Sequence, residues 1–303
     1  MSIKTVTLVG ATGNLGGPLL AALLFSGQFT VSILQRQSSS STPSTPSRQV
    51  RIIRVPDAWD VPSLTSALKG QDAVIAAYPL KYVDSHLRLA DAAAAAGVKR
   101  FVPADFGSVD ARSAYARQMV ALFDRKVVVR ERLEQLAEES GGKFTWTSLV
   151  AGHFFDWGLR DGFLHFDLKK RKAEILGDGT RRSSNSTLAQ VGRAVVQALL
   201  KPEETRNRVL LMQSFCVSQL DILRSLERVM GQDWEVEYLD LDEFVAEKKR
   251  MADGGDKQAV EDLVFALGVV EGNWEGHEDF SMRLLGLENE DLDQVVKEVV
   301  DGM

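Results

Sequence analysis

The residues whose types and spacing could do chemistry are a glycine-rich turn, an arginine beyond the next apolar run, and a lysine set in an apolar helix stripe. Gly10-Ala11-Thr12-Gly13-Asn14-Leu15-Gly16, with Gly17 following, joins the apolar run Thr5–Val9 to the helical pattern that opens at Leu15. Glycines there let backbone N–H groups approach a pyrophosphate resting on the helix N-terminus. The string alone also makes ordinary turns, but the strand–loop–helix order is what a dinucleotide site requires. The end of the second apolar run reads Ser32-Ile33-Leu34-Gln35-Arg36-Gln37-Ser38, without the carboxylate that would hold the adenosine ribose of NAD. Arg36 can stack on adenine and bind a 2′-phosphate, so NADP(H) is expected over NAD(H). The alternative is a solvated loop arginine. Arg48 and the serines before it are further candidate phosphate donors.

Met119, Leu122, Lys126, Val129, Leu133 and Leu136 step by three and four, so they share one helix face on which Lys126 is the only charge. A lysine there can snorkel, with its ammonium in water. In a partly dry site its pKa would instead fall from about 10.4, suiting it to general acid–base work. The pattern alone leaves both readings open. The Tyr-x-x-x-Lys pair of short-chain dehydrogenases is missing: Tyr115 is followed four residues on by Met119, and Tyr78-Pro79-Leu80-Lys81 has the wrong spacing. His86, His165 and His277 show no metal-ligand spacing, so no metal is expected. An unperturbed histidine titrates at about pH 6.5, so His153 reads either as an acid–base group facing the substrate or as a hydrogen-bonded packing residue.

The elements that position these groups alternate between short apolar runs and helical patterns, the mark of βαβ units and a parallel sheet. Strands are predicted at about 4–9, 30–34, 50–55, 72–77, 99–103 and 144–150, with helices over Asn14–Ser26, Val61–Lys69, Asp84–Ala96 and about Tyr115–Glu139. A helix at Leu188–Leu200 and a strand at Arg208–Gln213 extend the same sheet. The fold class is therefore α/β: a doubly wound Rossmann sheet over residues 1–150, completed by about 187–215. Residues 151–186 and 216–303 read as a smaller helix-rich substrate-binding cap, with Glu235–Leu241 its clearest strand. The polar stretch Ser38–Arg48 reads as a mobile loop. Over the 303 residues a net charge of −6 argues against nucleic acid or an anionic membrane as partner. The lone Cys216 excludes an intrachain disulfide and reads as a core residue. The N-terminus lacks a signal-peptide pattern and no apolar run reaches membrane length, so a cytoplasmic monomer or homodimer is expected. The run Lys169–Lys172 reads as a solvated turn.

Gly10–Gly17, Arg36, Arg100-Phe-Val-Pro-Ala-Asp-Phe-Gly107, Lys126-Val-Val-Val-Arg-Glu-Arg-Leu-Glu134 and Ala151-Gly-His-Phe-Phe-Asp-Trp-Gly158 together resemble the NmrA-like branch of atypical short-chain dehydrogenases. They are similar in particular to isoflavone reductase-like enzymes and their fungal relatives, over most of residues 3–215. The resemblance implies a catalytic lysine at Lys126 and an NADPH-favouring arginine at Arg36. It further implies cofactor contacts from Gly10, Thr12, Gly13, Asn14, Leu15, Gly16, Ala77, Lys126 and Phe154, and substrate contacts from Phe106, His153, Phe155 and Trp157. Hydride would leave the nicotinamide near Ala104–Gly107 while Lys126 protonates or stabilises the developing oxyanion. The family loop often reads PSEFG, where this chain has Pro103-Ala-Asp-Phe-Gly107. An Asn common in plant members aligns with Gly152, so their substrates do not transfer. The expectation is an NADPH-dependent reductase of a small conjugated, aromatic or polyketide-like metabolite. A non-catalytic NADP-sensing regulator and a redox-neutral cyclase or isomerase are the alternatives.

Overall fold

In the computed structural model, which describes residues 1–42 and 50–303, the apolar runs of the first half become strands. They are β1 (Thr5–Val9), β2 (Thr30–Arg36), β3 (Arg51–Val55), β4 (Ala73–Ala76), β5 (Arg100–Val102) and β6 (Thr145–Val150). Helices α1 (Gly16–Phe25), α2 (Val61–Leu68), α3 (Val83–Ala95), α4 (Ala114–Met119) and α5 (Ala121–Glu139) lie between them. There follow β7 (His153–Phe154), α6 (Phe155–Asp161), β8 (Phe166–Asp167), β9 (Lys172–Leu176), β10 (Arg182–Ser186), α7 (Leu188–Leu200), β11 (Arg208–Leu211) and β12 (Phe215–Ser218). The chain ends with α8 (Gln219–Met230), β13 (Glu235–Leu239), α9 (Leu241–Asp253), α10 (Lys257–Glu271), α11 (Met282–Leu285) and α12 (Leu292–Asp301).

The main sheet has seven strands in the order β11-β6-β5-β4-β1-β2-β3, and every pairing in it is parallel. The order reverses between β1 and β4, so the switch-point crevice of a doubly wound sheet opens where β1 ends in the glycine loop. Leu8, Leu19, Leu23 and Val195 pack on one side, and Val74, Leu89, Phe101 and Leu133 on the other, which is why inner strands such as β1 and β4 read as near-continuous apolar runs. The segment Leu188–Gln213 joins this sheet through α7 and β11 as expected. Arg100 helps to tie it in. The fully buried guanidinium donates to the Thr145, Thr147 and Thr205 hydroxyls and to the Pro202 carbonyl. It thus links β5 and β6 to the connection that leads into β11.

Two expectations about elements are corrected. The helix expected over Tyr115–Glu139 is two helices, broken at Val120, whose backbone is extended at φ −136°, ψ 117°. No Gly or Pro marks the break; Val120 is buried with Phe123, Leu263 and Trp274, so tertiary packing sets it. Residues 151–186 are not helix-rich: they hold four short strands and one helix of seven residues. The polar β10, Arg-Ser-Ser-Asn-Ser, carries no apolar alternation. It is a strand because β7 and β12 pair with it on either side in a three-stranded sheet. A second small sheet, β13-β9-β8, and helices α6, α8, α10 and α12 enclose a core of their own around Phe155, Phe166, Phe215, Trp234 and Phe265. The expected loop Ser38–Arg48 lies in part, and Arg48 entirely, outside the described residues.

Candidate active site

A groove runs over the carboxyl ends of β1, β2 and β4, in two halves that share Tyr78 and Pro79. The first half, about 460 Å³, is lined by Gly10, Thr12, Leu34, Arg36, Asp57 and Trp59, among others. The second, about 340 Å³, is lined by Gly13, Asn14, Leu15, Ala77, Ala104, Phe106, Leu122, Lys126, Phe154 and Trp157, with Tyr78, Pro79 and Leu80. The predicted residues Gly10, Thr12, Gly13, Asn14, Leu15, Arg36, Ala77, Phe106, Lys126, Phe154 and Trp157 are therefore brought to one continuous cleft.

The glycines of the loop differ in what requires them. Gly10 has φ +87°, and a Cβ there would lie 2.4 Å from the Ala77 carbonyl oxygen. A Cβ on Gly16 would lie 1.9 Å from the Gly10 carbonyl oxygen. These two positions are demanded by the fold itself. At Gly13 the nearest atoms to a Cβ are 3.5 and 3.9 Å away, ordinary contact distances. Nothing in the protein forbids a side chain at Gly13, which faces the groove and leaves an open cradle of the kind a pyrophosphate needs.

In the first half the exposed Arg36 ends β2, and among the described residues Lys81 and Arg88 line the same space with one carboxylate, Asp57. Asp57 accepts hydrogen bonds from Ser38 N at 3.1 Å and Ser38 Oγ at 2.7 Å. These bonds, with a smaller share from Arg36, hold its carboxyl below the usual range. Three cations against one anion suit a phosphorylated ligand. Gln35, Tyr78, Lys81 and Arg88 are groove residues the sequence reading missed. Tyr78 stacks on His86 at 4.0 Å and donates to the Ser85 carbonyl at 3.2 Å; burial pushes its phenol above the usual range. It forms a wall rather than a proton donor, in keeping with the missing Tyr-x-x-x-Lys pair.

In the second half Lys126 is 7% exposed, so its side chain is drawn out of bulk solvent and the snorkelling alternative does not describe it. Nζ donates to the Asp105 carbonyl at 3.0 Å and lies 5.4 Å from the Phe123 ring centroid. A Cβ on Gly107 would sit 2.4 Å from Nζ, so the bare glycine makes room for the ammonium. Burial drives the Lys126 pKa below its ordinary value; Asp105 opposes the shift and Arg130 adds to it. Apart from Gly13 and Asn14, the rest of this half is aromatic and aliphatic.

Three predicted residues lie elsewhere. Phe155 is fully buried in the cap core against Phe215 and does not reach the groove. His153 points into α10: Nε2 lies 3.1 Å from the Phe265 carbonyl oxygen, and a Cβ on Gly268 would lie 2.0 Å from it. Burial lowers its pKa to about 4, so His153 is a neutral packing residue, the second of its two open readings. Gly16 supports the loop from beneath. Gly152, with φ +69° and a Cβ position 1.9 Å from the Ser184 carbonyl oxygen, leaves no room for the Asn of plant members.

A family model, the NmrA-like family, matches residues 2–263. The chain belongs to the NmrA-like family. It is 38% identical over 254 residues to the oxidoreductase aprR of Aspergillus flavus, a match covering 83% of this chain and 81% of that protein. With the oxidoreductase poxI of Penicillium oxalicum it shares 30% identity over 312 residues, covering 97% and 93% respectively. Of the solved structures, an isoflavone reductase superposes with a TM-score of 0.78 at 20% identity, covering 98% of this chain and 99% of that one. A binary complex of leucoanthocyanidin reductase with NADPH from Vitis vinifera gives 0.76 at 17% identity, with 98% and 99% covered. These structural likenesses establish the isoflavone reductase-like fold of an NmrA-like protein. The described residues contain no helix long and apolar enough to cross a membrane.

Proposed function

We propose that this NmrA-like protein is an NADPH-dependent oxidoreductase that reduces a small conjugated, aromatic or polyketide-like metabolite, with Lys126 as general acid. The observation that carries the reading is a buried ammonium in a largely aromatic half-groove that also holds the Gly13 cradle and shares Tyr78 and Pro79 with a half-groove that bears cations. The oxidoreductases aprR and poxI, and the NADPH held by the leucoanthocyanidin reductase, support the same class.

Residues 1–150, with about 187–215, would bind the cofactor. Residues 151–186 and 216–303 would close over the substrate, contributing Phe154 and Trp157. Backbone N–H groups around Gly13 would hold the pyrophosphate. When bound, the nicotinamide supplies a hydride; the protein's own task is orientation and proton delivery. Phe106, Phe154, Trp157 and Leu122 would present flat apolar walls to a planar substrate and exclude water. Lys126 Nζ, anchored by one N–H on the Asp105 carbonyl, keeps further protons for a substrate oxygen that gains negative charge. The experiment that tests this is incubation of the pure protein with NADPH and a panel of phenolic and polyketide-like enones, following absorbance loss and product mass. A product two hydrogens heavier supports the reading. A non-catalytic sensor would need only the phosphate-binding groups of the two half-grooves and leaves the buried lysine without a use.

Cofactor choice gives a separate expected result. NADPH should bind at least tenfold more tightly than NADH, a difference of about 1.4 kcal/mol, because Arg36 stands where a ribose-binding carboxylate would be. Calorimetry on the wild type and on Arg36→Ala checks this. Equal affinities in the wild type, or an unchanged preference in the variant, would remove Arg36 from the site.

A further inference from the structure

Asp105 is 2% exposed, and its carboxylate divides its two oxygens between different neighbours. Oδ2 accepts Nε of Arg130 at 3.1 Å, and also Nη2 of Arg130 and the Ser148 hydroxyl. The Arg130 guanidinium in turn donates through Nη1 to Asp110 Oδ1 at 2.7 Å. Burial works against the Arg130 charge, but Asp105 and Asp110 outweigh it and hold the arginine firmly protonated. Oδ1, by contrast, is buried with no hydrogen-bond donor at all. Lys126 faces it, with Nζ 3.7 Å away. A buried acceptor without a donor is costly, and Nζ needs to approach by only roughly 0.8 Å to form a bond of ordinary length.

We propose that Asp105 is the positioning residue of this site: Arg130 and Ser148 clamp Oδ2 so that Oδ1 stays turned toward Lys126 and keeps its ammonium charged and aimed at the groove. The proposal rests on the reading of Lys126 as the acid. Two acceptors on one residue, the Asp105 carbonyl and Oδ1, would occupy two of the three ammonium protons and leave the third for substrate. The groups that bear on Nζ are the carboxylates of Asp105 and Asp110 and the guanidinium of Arg130. Tyr78, in the same half-groove, is tied by its hydroxyl to Ser85. Coulomb energy falls with distance. The facing carboxylate oxygen therefore outweighs a guanidinium anchored on the far oxygen.

The test titrates Lys126 without any substrate. The protein is pulsed with acetic anhydride at a series of pH values, and acetylation of Lys126 is read by peptide mass spectrometry. In Asp105→Asn the midpoint should fall by about one pH unit or more, the usual weight of an opposite charge at this range. Asp105→Glu should restore it most of the way. If Asp105→Asn does not fold, the pair Asp105→Asn with Arg130→Met removes both charges together and carries the test. Its midpoint should also fall, because the nearer charge is lost. An unchanged midpoint in a folded variant overturns the proposal, since a merely structural Asp105 would lower thermal stability without moving the titration. Turnover by Lys126→Ala is a separate measurement, so failure of the lysine as acid and failure of Asp105 as its positioning residue are distinguishable.

Discussion

Lys126→Ala is expected to lose about 10²–10⁴-fold in kcat, the usual worth of a positioned proton donor. NADPH affinity should change far less, because the pyrophosphate and the 2′-phosphate would be held by the Gly13 cradle and Arg36 rather than by the ammonium. The wild-type pH profile carries the same signature. An acid must be protonated, so kcat should fall as pH rises through the Lys126 pKa, and burial places that fall below the ordinary lysine value of 10.5. In Lys126→Ala this alkaline limb should vanish. For stability the sign is opposite to that of an ordinary ion-paired lysine. A pKa lower in the folded than in the unfolded chain means that folding disfavours the charged form. The penalty is present below the folded pKa and is relieved as pH rises toward the unfolded value. Loss of the lysine should therefore cost little in thermal midpoint at neutral pH. Wild-type turnover by the alanine variant, on a substrate the native protein reduces, would remove Lys126 from catalysis.

Gly13→Val is expected to abolish cofactor binding while leaving the fold intact. The protein presents only ordinary contacts, at 3.5 and 3.9 Å, to a Cβ at Gly13, so the branched side chain is accommodated by its own neighbours. Its methyl groups would stand in the groove and hold a pyrophosphate away from the backbone N–H groups. Charge-assisted hydrogen bonds contribute roughly 1.5–3 kcal/mol each, so losing two should weaken NADPH binding by about a hundredfold or more. Gly16→Val provides the contrast. Its Cβ would collide with the Gly10 carbonyl oxygen at 1.9 Å, and this variant should lose thermal stability whether or not cofactor is present. Calorimetric titration with NADPH and a thermal melt on both variants separate the cases. A folded Gly13→Val protein with native affinity would reduce the loop to a turn.

The six N-terminal strands, the glycine loop and the lysine stripe were legible in the chain because local periodicity determines them. An apolar run buried on both faces of a parallel sheet, or a repeat of three and four, needs no knowledge of distant residues. The family was legible for a related reason: its motifs are short and contiguous. Composition alone could not reveal β10, whose serines become a strand only when β7 and β12 lie on either side. Nor could it reveal the break at Val120, which exists because that side chain is drawn into a core shared with Leu263 and Trp274.

The site divides the same way. The sequence determined which groups could bind a phosphorylated dinucleotide and which lysine was out of place among apolar residues. Its aromatic cluster could not say which rings face the groove. Adjacent residues at a strand-to-helix junction point in different directions, so Phe154 and Trp157 line the cleft while His153 turns into α10 and Phe155 into the cap core. Only the tertiary structure decided whether Lys126 snorkels or is buried, because the answer depends on Asp105 and Gly107, about twenty residues away in the chain. It also decided that Asp105 keeps one oxygen free. That arrangement requires Arg130 from α5 and Ser148 from β6 to meet the loop after β5, and contacts between separate elements leave no mark in any local pattern.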